Sequence, residues 1–257
     1  MSVSIEQIKE LRDATGVSMT ACKSALEEAS GDYEKAVDLL RKKGEAKAVD
    51  RAGKSTGQGA IVVKSEGSKT AMVELLCETD FVARGDDFLA LAELLADKLL
   101  RGEIKESDRD IAEVKGAVLK MGENLQIGDM VIVEGEPVGD YVHSNRKIGV
   151  LVSLKGGSKE LARDIAMHVA AANPKVLSPD EVSQDLLDRE KSIWAEQLST
   201  EGKPKEIVEK IMMGKEKKFR EENALIKQSF VKDPDKTIEQ LLACANAVIE
   251  KFVRFGF

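Results

Sequence analysis

At 257 residues the chain has room for one large domain or several small ones. Hydrophobic residues at 42% and charged residues at 33% fit a soluble protein with a partitioned core, while aromatics at 4% speak against an aromatic-lined ligand pocket or a base-stacking platform. A net charge of −7 denies the chain the basic footprint of a nucleic-acid binder, so a protein partner is expected and direct nucleic-acid contact is not.

Taken in order, residues 4–44 predict three short helices. Ser4-Ile5-Glu6-Gln7 has the spacing of a capping box, with Ile5, Ile8 and Leu11 near one face and Gly16 as the stop. Ser18 is placed to cap the second helix, with Cys22, Ala25, Leu26 and Ala29 inward, and Asp32 the third, whose apolar residues lead to Gly44. Such a bundle is too small to enclose an active site and suits a binding module. The charged stretch from Glu45 to Arg51, followed by Gly53, Gly57 and Gly59, reads as a linker.

Gly59–Ser65 and Thr70–Glu78 predict a hairpin around Glu66-Gly67-Ser68. A helix then starts at Asp86-Asp87-Phe88 and ends at Gly102, and a second runs from Ser107 to Gly122. Strands follow at Met130–Val133, Val138–His143 and Ile148–Leu154, with Ser144-Asn145-Arg146 as a turn, and Ser158 starts a helix that stops before Asn173-Pro174. Strand pairs followed by helices thus occur over 59–121 and again over 130–172, which predicts two α+β subdomains, each a small antiparallel sheet with helices on one face. Ser178-Pro179-Asp180-Glu181 reads as a helix start, and Pro204 as another beyond a tight Glu201-Gly202-Lys203 turn. The two amphipathic helices form an antiparallel hairpin, either a projection from the body or a surface for dimer or partner contact. Thr237-Ile238-Glu239-Gln240 starts one more short helix. The β-prone Val248–Phe257 returns to the second sheet, which makes the hairpin an insertion.

No signature of catalysis emerges. His143 and His168 are the two histidines, and H-E-x-x-H, G-x-S-x-G and G-x-x-x-x-G-K-[ST] are all missing, so no catalytic residue, metal ligand or cofactor is expected. Cys22, Cys77 and Cys244 are far apart and odd in number, which suits a reducing cytoplasm. The first residues lack a basic-then-apolar signal, and no apolar run approaches the roughly 20 residues a membrane span needs.

The stretch Thr79-Asp80-Phe81-Val82 stands apart. It follows a run that reads as a buried strand, Ala71 to Cys77, and precedes a helix start, so it lies on a connection between two rigid elements. Its residue types leave two readings open. Phe81 folds back into the core while Asp80 makes a local turn bond, or Phe81 is a wedge for a partner's pocket with Asp80 steering beside it.

Several stretches together resemble the bacterial translation elongation factor Ts family. Leu11-Arg12-Asp13-Ala14-Thr15-Gly16-Val17-Ser18-Met19-Thr20-Ala21-Cys22-Lys23-Ser24-Ala25-Leu26 is similar to its N-terminal signature, and Glu78-Thr79-Asp80-Phe81-Val82-Ala83 to its second. Gly122-Glu123-Asn124, Ile148-Gly149-Val150-Leu151, Ala166 to Ala171 and Gly202 to Ile207 follow as further landmarks, in the family's order and over nearly the whole chain. The resemblance implies a guanine-nucleotide exchange factor for the GTPase elongation factor Tu, with no catalysis of its own and no membrane. It also implies an α+β architecture: a module resembling a ubiquitin-associated domain over 1–52, core subdomains over 53–136 and over 137–177 with 230–257, and an inserted coiled coil over 178–229. The three-helix module alone would also suit a ubiquitin-binding adaptor. Carried onto this sequence, the family's pattern puts Thr79, Asp80, Phe81 and Val82 at the partner's Mg²⁺ site. Arg12, Met19 and Lys23 become candidates for contact with its G domain, and His143, through Tyr141-Val142-His143, for contact with its third domain. For Met19, burial inside the bundle remains an equal reading. A homodimer of heterodimers is left open as the assembly. Some members carry a further C-terminal helical module, whereas this chain stops at Arg254-Phe255-Gly256-Phe257.

Overall fold

A computed structural model describes residues 3–199 and 204–257. Three helices come first: α1 (Ile5–Thr15), α2 (Met19–Glu28) and α3 (Tyr33–Arg51). The Ser4 hydroxyl accepts from the Gln7 amide while the Gln7 side chain accepts from the Ser4 amide, and Gly16 closes α1 at φ +66°. Leu11, Cys22, Ala25, Leu26 and Ala36 are fully buried between the helices.

The expected linker is in part helix. α3 does not stop at Gly44 but continues through Glu45–Arg51. An interior glycine costs a helix about 1 kcal/mol, and tertiary contact offsets it here. A Cβ on Gly44 would stand in ordinary contact, 3.5 Å from Leu119 Cβ and 3.6 Å from the Gly116 Cα, so α3 packs directly on α6 (Ala112–Met121) at this point. One turn further on, Ala48 packs against the core of the first sheet. The bundle is therefore joined to the body by a helix.

Two three-stranded antiparallel sheets form the body. The first contains β1 (Gln58–Glu66), β2 (Lys69–Cys77) and β3 (Gln126–Glu134), with β2 central. The second contains β4 (Val138–Val142), β5 (Ile148–Lys155) and β8 (Val248–Gly256), with β5 central. The expected repeat of element order misassigns β3. It pairs with β2, Met72 opposite Val131, and so closes the first sheet instead of opening a second unit. In both sheets the third strand arrives from later in the chain, after intervening helices.

The period of two along each strand sorts side chains between two environments. Ala60, Val62, Ala71, Val73 and Leu75 face the helices α5 (Asp86–Leu100) and α6. Val150, Val152 and Leu154 face α7 (Lys159–Ala172) and α10 (Ile238–Cys244). The intervening residues Ile61, Met72, Val131 and Val133 meet Val138, Leu151 and Phe255 in a layer between the sheets. Each sheet was expected to carry helices on one face; its other face is covered by the other sheet, and the result is helix, sheet, sheet, helix. Gly149 permits this approach, since a Cβ there would fall 2.5 Å from Ile61 Cγ2. At the sheet edges the Ile61 amide donates to the Arg146 carbonyl at 2.8 Å.

Two helix starts move. The Ser107 segment is a turn, with the Lys105 amide donating to the Asp108 carboxylate, and α6 begins at Ala112. Ser178-Pro179-Asp180-Glu181 forms a single 3₁₀ turn, Pro179–Glu181, because the Glu181 carboxylate turns back to accept from the Leu177 amide and the Ser178 hydroxyl. The helical hairpin proper is α8 (Gln184–Ser199) and α9 (Lys205–Asn223), and the expected turn at Glu201-Gly202-Lys203 lies outside the described residues. Trp194 meets Phe219 edge-on at 5.7 Å between the two helices. A small hairpin, β6 (Ser229–Phe230) with β7 (Asp233–Thr237), leads the chain through α10 to β8.

Candidate functional site

The pairing of β2 with β1 ends at Cys77 opposite Gln58, and the chain turns at once into α4 (Asp80–Ala83), one helical turn capped by Thr79. The stretch expected to be a loop is thus a helix start. The Thr79 hydroxyl accepts from the Val82 amide at 3.4 Å, the N-cap bond that threonine commonly supplies. Successive residues of one turn point about 100° apart, and two of them determine the direction of the others. Ala83 is buried and Val82 packs half-buried against the first core, which sends Phe81 outward. Its ring is 85% exposed, so the reading in which it folds into the core is wrong. Asp80 pairs with Arg84 one turn on, Oδ2 to Nη2 at 3.0 Å, a largely exposed bridge.

Beneath the turn lies a compact polar network. The Glu123 carboxylate accepts from the Glu78 amide at 3.1 Å, the Thr79 amide at 3.0 Å and the Thr79 hydroxyl at 2.6 Å. The Glu78 carboxylate accepts from the Asn124 amide at 2.6 Å and from the Arg51 guanidinium at 2.7 Å. That backbone bond, with the Arg51 bond and charge behind it, holds the Glu78 carboxyl below the usual carboxylate range. The Cys77 thiol donates to the Thr79 carbonyl; burial first, and then the Glu123 charge, push it up to about 12. At neutral pH it is therefore a protonated thiol that fills space and donates a weak bond.

An open cleft of ≈ 920 Å³ runs from this turn to the turn between β4 and β5. Thr79, Asp80, Phe81 and Arg84 line one wall, and Ser144, Asn145, Arg146 and Lys147 the other. Arg146 adopts φ +57°, and the Asn145 side chain accepts from the Lys147 amide, which fixes this second turn. His143 sits immediately before it, exposed, its Nδ1 3.0 Å from the Tyr141 hydroxyl. The cleft therefore joins the signature turn to the turn beside His143.

Arg12, Met19 and Lys23 do not line it. They lie on the three-helix bundle, all exposed, with Met19 at 39% and Lys23 near Glu27 on the following turn. Met19 and Lys23 are four apart and share a face of α2. The burial reading for Met19 fails, because the bundle interior is already filled by Leu11, Cys22 and Leu26. Among the described residues no three His, Cys, Asp or Glu side chains converge as a metal site. No helix among them is long and apolar enough to cross a membrane. His168 is buried on α7 and holds two partners distant in the chain. Its Nε2 lies 3.0 Å from the Gln228 side-chain oxygen, and its Nδ1 accepts from the Val231 amide at 3.3 Å.

Glu123, Arg84, Arg146 and Lys147 were not singled out by residue type. For Glu123 a signal existed: Gly122-Glu123-Asn124 is one of the landmarks that carry the family resemblance, although it gave Glu123 no role.

Comparisons with known proteins agree on one family. The model described as Elongation factor TS matches residues 78–257. A protein of Hydrogenobaculum sp. (strain Y04AAS1) named Elongation factor Ts is 45% identical over 270 residues, covering 99% of this chain and 98% of that protein. Proteins of the same name from Alcanivorax borkumensis and Hydrogenovibrio crunogenus are 46% and 42% identical, covering 96% and 99% of this chain and 91% of each relative.

Proposed function

The chain belongs to the elongation factor Ts family, which makes it a translation elongation factor, and from that premise we propose that it promotes GDP release from elongation factor Tu so that GTP can rebind. One observation carries the proposal. A phenylalanine ring 85% exposed stands at the tip of a turn whose own backbone is tied down on the other side by Glu123.

The chemistry needs nothing more than insertion. A bound nucleotide in a GTPase is held through Mg²⁺, which demands near-octahedral oxygen geometry at 2.0–2.1 Å and tolerates little displacement. A ring pressed between two helices of the G domain moves the residues that hold the ion and the phosphates. Burying a phenylalanine side chain supplies about 1.5–3 kcal/mol towards that distortion. The remainder comes from the wider contact. Asp80 accompanies the ring, and Thr79 and Val82 hold the turn that presents both. Arg12, Met19 and Lys23 on the bundle and His143 beside the cleft provide further contact with the same partner. The protein reacts with nothing, needs no cofactor and works in the cytoplasm where translation occurs.

The test is direct: release of fluorescently labelled GDP from elongation factor Tu, followed with and without this protein. Acceleration that saturates with added protein supports the proposal. A release rate that stays at its spontaneous value rules it out.

A further inference from the structure

Past Cys77 the sheet ladder of β2 ends, and the next two amides would face the turn without strand partners. Glu123 takes both. The exchange runs in both directions, because Glu78, one residue past β2, takes the Asn124 amide, three residues past α6. Two carboxylates thus cross between the strand that carries the wedge and the helix on which α3 rests.

The Thr79 hydroxyl is where this crossing acts on the wedge. A hydroxyl has one proton and two lone pairs. Its proton goes to Glu123 Oε1 at 2.6 Å, a charge-assisted bond of the shorter and stronger kind. A carboxylate can only accept, so the hydroxyl is turned with a lone pair towards the Val82 amide, the N-cap bond of α4. Two backbone bonds and one side-chain bond therefore fix where α4 starts and which way it points, and Phe81 is its second residue. None of these donors belongs to a strand or helix of the core.

We propose that Glu123 is a positioning residue for exchange: through Glu78 and Thr79 it holds the Asp80–Phe81 turn in the orientation that enters the partner. This rests on the exchange reading above. Glu123 touches neither partner nor nucleotide in this account, and it acts on the maximal rate more than on affinity, because the other contact surfaces are untouched by its loss.

The experiment compares Glu123→Ala, Glu123→Asp and Glu123→Gln with wild type in labelled GDP release from elongation factor Tu, over a range of factor concentrations. Amide hydrogen exchange is measured on the free proteins. Glu123→Asp keeps the charge but is one methylene too short; Glu123→Gln keeps the reach and an acceptor for both amides. The Ala and Asp variants should lose on the order of tenfold in maximal rate with less than about threefold change in half-saturation, and Gln should recover most of the loss. Exchange should quicken at Thr79 and Val82 in Ala and Asp while Val73 and Leu75 stay protected. An undiminished maximal rate in Glu123→Ala, or a loss accompanied by faster exchange at Val73 and Leu75, would overturn the proposal. Should Glu123→Ala fail to fold, equal maximal rates in the Asp and Gln variants would overturn it. If wild-type protein leaves GDP release unaccelerated, the exchange reading fails instead, and amide exchange still reports whether Glu123 holds the turn.

Discussion

An exposed phenylalanine contributes little to its own fold, so Phe81 separates function from stability cleanly. Phe81→Ala should leave the melting temperature unchanged while stimulated GDP release falls roughly ten- to hundred-fold, the equivalent of the lost burial in the complex. A variant that melts earlier and whose folded fraction exchanges normally would contradict the wedge. His168 gives the opposite case, a buried titratable group with a structural role. Burial lowers its pKa below the usual 6.5, against a smaller opposing effect of the Gln228 bond. The ring that accepts from the Val231 amide is the neutral one. The unfolded chain therefore binds the extra proton between the two pKa values, and stability rises with pH there. The contribution is complete above about pH 6.5 and is lost as pH falls through the window below it. In His168→Gln, urea unfolding between pH 7.5 and 5 should lose part of that slope, and an unchanged slope would remove His168 from the account. Thiol chemistry offers a third check. Cys22 and Cys77 are buried and Cys244 is exposed, so iodoacetamide at pH 8 should modify Cys244 in the native protein and spare the others. Rapid labelling of Cys77 would mean that the floor of the signature turn opens.

At the scale of elements, α3 changes what a truncation should do. A glycine-rich linker would let residues 1–52 be removed without cost to the core. With α3 packed on α6, Ala48 against the first core and Arg51 bonded to Glu78, removal uncovers apolar surface and frees a half-buried carboxylate. The truncated protein should melt lower by about 5 °C and also exchange more slowly, whereas an unchanged melting temperature would make α3 a passive spacer. The hairpin α8–α9 contrasts with it, since none of its residues belongs to the four core clusters. Replacing residues 194–210 by a short loop should leave core melting intact and affect exchange less than Phe81→Ala. A comparable loss would place functional surface on the hairpin. These differences track what local sequence encodes. The boxes at Ser4 and Thr237 and the cap at Ser158 involve neighbours three residues apart, and all were legible. The end of α3 and the partner of β3 depend on residues many positions away, whereas the false start at Ser178 comes from a local competition in which Glu181 accepts from the Leu177 amide and the Ser178 hydroxyl. Distance along the chain likewise hid the role of Glu123, whose three donors lie some 44 residues earlier. Thr79 to Val82 stood out as residues, but not as a helical turn.

On the scale of the whole molecule, the four-layer body does one thing for the site: it holds the signature turn and the turn at Ser144 to Lys147 on either side of one cleft, from two different sheets. In the exchange reading the protein acts by changing its partner's affinity for nucleotide. Linkage then makes the effect reciprocal: a factor that weakens GDP on elongation factor Tu by some ratio must itself be weakened by GDP in the same ratio. The most direct measurement is calorimetric titration of this protein into elongation factor Tu, nucleotide-free and again with saturating Mg²⁺-GDP. Binding should be tight in the first titration and weaker by a large factor in the second, with that factor matching the loss of GDP affinity. Equal affinities in the two titrations would contradict the exchange reading.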